Sequence, residues 1–180
     1  MQIEIKQTKL WLAQIIVGLN FCPFAKKELV NDTIHYHLSK INKGKLALKE
    51  IVEQCLYLKK NDVIETSLII YNQGFKSFED YLDLVASAEN RLVDFGFEGE
   101  FQLASFHPDY YFDGEEFNDA ANFTNRSPYP TIHIIREESI TRVLSVYKNP
   151  EKIPDNNIRL ARTKGSSFFT LLLKNIKQSH

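Results

Sequence analysis

Apolar residues recur at Leu12, Ile15, Ile16 and Leu19, the i, i+3, i+4, i+7 spacing of one helix face, with Gly18 and Asn20 as stop residues. Phe21–Leu29 then reads as a short second helix. Pro23 suits its first position, where no N–H is needed, and Cys22 falls at or next to the N-cap. At Thr33–Leu38 the period changes to two: Ile34, Tyr36 and Leu38 share one face of a strand, His35 and His37 the other. Leu48, Ile51, Val52, Cys55 and Leu56 return to helical spacing. Thr66–Tyr71 is short and mostly apolar, as in a buried strand. Ser77 and Asp80 form a capping signal ahead of the stripe Phe78, Tyr81, Leu82, Val85 and Ala86, which Gly96 ends.

Phe101–Phe106 and Thr131–Ile135 are the third and fourth strands. Glu137 and Glu138 suit the positive end of a further helix, whose apolar face is Ile140, Val143, Leu144 and Tyr147. After Pro150 and Pro154, the stripe Phe169, Leu172, Leu173 and Ile176 marks a docking helix; Arg159, Arg162, Lys164, Lys174 and Lys177 give the tail a modest basic strip. Strands that alternate with helices favour crossovers and some parallel pairing, and the last two strands can be antiparallel neighbours across a long excursion. The expected fold is α/β (α+β): a two-layer sandwich with a mixed four-stranded sheet, helices packed mainly on one face, and a long ordered loop between the last two strands. No repeat or linker divides residues 1–180, which read as a single domain.

Composition narrows the function only by exclusion. With 43% hydrophobic residues the chain can build a core, and a net charge of −1 provides no field for nucleic acid or an anionic membrane. No apolar run approaches the ~20 residues of a membrane helix, and no signal-peptide pattern opens the chain. Two cysteines make no disulfide framework, so the expected location is the cytoplasm. A homo-oligomer is compatible with the sequence, and no cofactor is readable from it.

Candidate chemistry gathers in the excursion, where three of the six prolines (Pro108, Pro128, Pro130) and two of the five histidines (His107, His133) fall. A loop of this length rich in Tyr and Phe is more consistent with function than disorder. His107-Pro108-Asp109 follows a strand directly, so Asp109 can fix the His107 tautomer, or the pair can form a plain turn. Asn125, Arg126 and Ser127 supply the donors wanted by a carboxylate or phosphate; alternatively Arg126 pairs with one of the loop's acids. His133 points away from Ile132 and Ile134, as a satisfied core residue or as a partner of His107, and Arg136 follows at the strand's end. Cys22 at a helix N-terminus beside Lys26 and Lys27 is either an activated thiol or a small apolar filler. His35-x-His37 fits a metal by spacing, without a third ligand, and equally an exposed edge strand. Phosphate-loop, dinucleotide-fold, Cys-x-x-Cys, nucleophile-elbow and His-Glu-x-x-His motifs are absent.

Three stretches carry a family resemblance: Leu19-Asn20-Phe21-Cys22-Pro23-Phe24-Ala25, Gln102 through Tyr110 (QLASFHPDY), and Thr124-Asn125-Arg126-Ser127-Pro128-Tyr129-Pro130. The chain resembles the bacterial family catalogued as domain of unknown function fourteen-fifteen, from the first helix to the helix after Glu137. The resemblance implies a small, soluble, intracellular bacterial protein and assigns no residue a role.

Two functions follow from the residues themselves. One is a small cytoplasmic enzyme acting on a small anionic or carbonyl-containing molecule: Cys22 as nucleophile or redox thiol, His107 as general base oriented by Asp109, Arg126 as anion clamp, and Asn125, Ser127, His133 and Arg136 lining the site. The other is a non-catalytic ligand-binding or assembly module in which these motifs are structural. A metal-dependent enzyme using His107, Asp109 and His133 is a variant of the first.

Overall fold

The computed structural model describes residues 2–145 and 147–179. Four strands, β1 (Ile34–Ser39), β2 (Thr66–Tyr71), β3 (Phe101–Phe106) and β4 (Thr131–Arg136), form one sheet in the order β1-β2-β4-β3. β1 and β2 are parallel, and β4 runs antiparallel to both β2 and β3. Among the described residues seven α-helices accompany them: α1 (Ile3–Trp11), α2 (Ala25–Val30), α3 (Gly44–Lys60), α4 (Phe78–Asp94), α5 (Glu137–Leu144), α6 (Ile153–Lys164) and α7 (Ser166–Gln178).

Strand alternation divides the apolar residues into two cores. Ile69, Tyr71, Ile132, Ile134 and Phe101 face α3 and α4, whereas Ile34, Leu68 and Phe106 face α1 and its continuation. α7 packs on α1, α6 packs on α7 and on residues 120–124, and α2 and α5 border the same face, so the helices lie mainly on one side of the mixed sheet. α3 and α4 cover the opposite side and add a layer to the expected sandwich. α4 shows why it forms: Ser77 Oγ accepts the Asp80 N–H at 3.3 Å, and Phe78, Tyr81, Leu84, Ala88 and Leu92 are all buried on one face. Each large side chain so placed contributes about 1.5–3 kcal/mol. Gly96, at φ +69°, ends the helix in the left-handed conformation.

Three boundaries differ from the sequence reading. The first helix starts at Ile3 and becomes π-helical over Leu12–Val17, because its amino-terminal turns bury polar Gln7 and Thr8, which no apolar stripe announces. Gly18 closes this segment, where a Cβ would meet the Gln14 carbonyl oxygen at 2.4 Å. α2 begins only at Ala25, with Phe24 in the N-cap position, so Pro23 and Cys22 lie in the preceding turn. Left-handed Asn20 reverses the chain there, and both Phe21 N–H and Cys22 N–H bond back to the Ile16 carbonyl. The tail is two helices broken at Gly165, and part of its basic strip is engaged: Arg162 pairs with Glu115 and Asp119, and Lys177 donates to the Pro128 carbonyl.

The β3–β4 connection is ordered throughout and includes a 3-10 turn at Ala120–Thr124. Tyr81 anchors both its ends: the phenol donates to the Thr131 carbonyl at 2.7 Å and accepts the Phe106 N–H at 3.1 Å. Among the described residues no helix is long and apolar enough to cross a membrane.

Candidate functional site

Six of the eight residues singled out by sequence serve the β3–β4 connection or its neighbours. His107 is 1% exposed. Its Nε2 lies 2.9 Å from the Phe75 carbonyl, and its Nδ1 accepts the Asp109 backbone N–H at 3.0 Å. Nδ1 is therefore the acceptor and Nε2 carries the proton, which leaves no free nitrogen for a ligand. Burial is the main cause of its lowered pKa, opposed by the Phe75 carbonyl and Asp109. Asp109 orients the ring through its backbone N–H, while the residue itself is exposed.

Arg126 is 8% exposed. Its Nε and Nη2 donate to the carbonyls of Tyr110 (2.9 Å) and Phe117 (2.7 Å), with the guanidinium 4.6 Å from the Phe117 and Phe123 ring centres. Asn125 donates to the Ser105 carbonyl and Ser127 to that of Tyr129. Arg136 reaches the carbonyls of Leu58, Asn61 and Ile64 and so caps the end of α3. The donors that suggested an anion are all engaged by backbone oxygens of this chain. Buried Asn122, not among the expected site residues, does the same work by accepting from Phe112 N–H and donating to the Glu116 and Phe117 carbonyls.

His35 and His37 face α3. Ser67 Oγ donates to Gln54 Oε1, Gln54 Nε2 donates to His37 Nδ1, and His37 Nε2 therefore donates to Glu50 Oε1 at 2.9 Å. Among the described residues no three His, Cys, Asp or Glu side chains could together hold a metal ion. His107 and His133 do not converge. The register pairs Phe106 with Thr131 and Ala104 with His133, so His133 shares the face of Ala104 and Phe106. His107 instead packs against Phe78 and Tyr81 of α4, across the sheet.

The remaining two candidates, Cys22 and His133, line one cavity of about 230 Å³. Its floor is the sheet: Ile34, Leu68, Ala104, Phe106, His133 and Ile135. One wall comes from Trp11, Leu12 and Ile16, another from Cys22, Phe24 and Ala25; Ile140 and Val143 of α5 form the roof. Charge is confined to the mouth, where Glu65 accepts from Ser139 Oγ at 2.6 Å and lies 3.4 Å from Arg142 Nη2, and Lys27 lies beside Glu28. α5 is amphipathic, yet none of its residues is buried. Its apolar face overlies the void instead of a filled core.

The proton at His133 can be located. Thr66 Oγ1 hydrogen-bonds both the Ile134 carbonyl (2.6 Å) and His133 Nε2. A hydroxyl has one hydrogen, and the carbonyl can only accept. Thr66 thus donates to Ile134, and His133 Nε2–H donates to Thr66. Nδ1 keeps its lone pair and has no protein partner among the described residues. Burial lowers the His133 pKa to about 4, so the ring is neutral near pH 7. Burial likewise pushes the Cys22 thiol up, opposed by the backbone N–H groups of Ala25 and Phe24. Cys22 is therefore a protonated thiol at neutral pH, in line with the apolar-filler alternative and not with an activated thiol. Thr66 and Ala104 escaped the sequence reading; the only signal for them is cross-strand adjacency to His133, which requires the register.

The fold and cavity define an α/β protein with an apolar chamber between its sheet and a short covering helix. The chain belongs to the family described as "Protein of unknown function (DUF1415)", whose model matches residues 3–170. No curated protein and no solved structure matches the chain.

Proposed function

We propose that this protein binds a small, uncharged, largely apolar molecule in the chamber beneath α5. The observation that carries this reading is the 230 Å³ void itself, walled by apolar side chains and roofed by a helix whose apolar face is otherwise unfilled. Apolar cavities of ~150 Å³ stay dry and admit benzene, so by proportion this one takes a ligand of about nine non-hydrogen atoms. A catalytic reading has one specific support: a thiol and a proton-accepting imidazole, Cys22 and His133, border the same space.

Trp11, the single tryptophan, lines the cavity and reports on it. Indene, an apolar bicycle of matching size, is expected to change Trp11 emission saturably at one equivalent. Ala104→Leu, which projects extra carbons into the void, should abolish that change without lowering the melting temperature. Absence of saturable indene binding to the wild-type protein would refute the proposal.

A further inference from the structure

We infer that the ligand is an aromatic ring carrying one N–H or O–H donor, held by His133 Nδ1; the inference rests on the chamber being a binding site. The interior presents one strong acceptor and no strong free donor among the described residues. The Trp11 indole N–H is committed to the Arg126 carbonyl at 2.9 Å, Ser139 to Glu65, and Thr66 to Ile134. Only the Cys22 S–H, a weak donor, remains.

A carbonyl or carboxylate oxygen would therefore find no partner and would meet the His133 lone pair. A charged amine would satisfy that lone pair but would carry an ion into an apolar chamber, where its lost hydration is not replaced. A neutral donor satisfies both conditions, because it pairs Nδ1 and brings no charge. The walls select an aromatic frame. Trp11, Phe106 and Phe24 border the space, with Trp11 and Phe106 edge-to-face at a centroid distance of 5.1 Å. His133 is free to make this contact because its two cross-strand neighbours are Leu68 and the small Ala104. Specificity of this kind follows from leaving a polar atom at an apolar cavity unpaired unless the right ligand arrives.

The test compares indole with indene, rings of the same size of which only indole has a donor, by calorimetric titration of wild-type, His133→Phe and Thr66→Val proteins. Ratios of affinity are compared because indole also gives up hydrogen bonds to water, a penalty common to all three proteins. One hydrogen bond of ordinary net strength predicts that the indole-to-indene preference falls about tenfold in His133→Phe. Thr66→Val keeps the imidazole but removes the acceptor that fixes its proton on Nε2, so the preference should also fall, with indene affinity retained. Should His133→Phe fail to fold, Thr66→Val carries the comparison. An unchanged ratio in a folded variant overturns the donor class and leaves the chamber as a binding site. Failure of both compounds to bind wild-type protein overturns the chamber reading and this inference together.

Discussion

Replacing His133 with phenylalanine should abolish a specific part of the protein's acid sensitivity. In the folded state burial holds the imidazole at about 4, whereas in the unfolded chain it titrates near ~6.5. Above pH 6.5 neither state binds a proton there, and His133 contributes no pH dependence. Below it, the unfolded chain takes up a proton that the native state refuses, so stability falls with pH until the folded ring also titrates. At ~1.36 kcal/mol per pH unit, the loss reaches about 3 kcal/mol at pH 4. His35 and His107, both also lowered by burial, act in the same direction. They are present in both proteins and cancel in the difference. Urea denaturation at pH 7.5, 6, 5 and 4, followed by Trp11 emission and far-UV circular dichroism, gives that difference directly. The stability gap between wild type and His133→Phe should move by about 3 kcal/mol over the range in a dry chamber. A change near ~1 kcal/mol would mean that water reaches Nδ1 and screens the charge. Parallel curves from pH 7.5 to 4 would refute the placement of a buried neutral imidazole.

Two further outcomes follow from the geometry. Arg126→Lys should destabilise the fold by about 2–4 kcal/mol in chemical denaturation, because lysine cannot span the Tyr110 and Phe117 carbonyls or stack between two rings; near-wild-type stability would show that the guanidinium does not hold the loop. The rate of Cys22 alkylation should keep rising with pH past 9, since burial raises the thiol above its ordinary value, and a plateau at pH 7–8 would show an activated thiolate.

Much of the fold is legible because periodicity reports burial. The four strands, the Ser77 cap and the Gly96 stop sit where their residues place them. What periodicity cannot convey is pairing: nothing local says that β4 inserts between β2 and β3, and register depends on contacts far apart in sequence. The candidate site was hidden by that same register. A one-residue difference in parity decides whether His107 and His133 share a face, and here they do not. Arg126, Asn125 and Ser127 leave two readings open in the sequence for another reason. A long connection without a ladder must satisfy its own carbonyls, and a donor-rich segment that serves them has the same composition as one that serves an anion. Only the acceptors' positions separate the two, and those are tertiary. The helix starts two residues later than the Pro23 position suggests, and although the Ala25 and Phe24 N–H groups still reach the Cys22 thiol, burial outweighs them.

The π-helical stretch at Leu12–Val17 has a consequence for how this protein tolerates change. An α-helix advances about 100° per residue, and the wider turn accommodates a residue that a regular helix of the same length would not. Chain length within the stretch, more than the identity of its side chains, therefore fixes where Leu12 and Ile16 stand relative to the turn that carries Cys22. Substitutions of one aliphatic residue for another would leave that phase intact. Loss of a single residue would rotate everything after it by roughly a quarter-turn and carry one wall of the chamber away from the sheet. Insertions and deletions here belong with changes to the ligand site, although the segment bears no charged or reactive group.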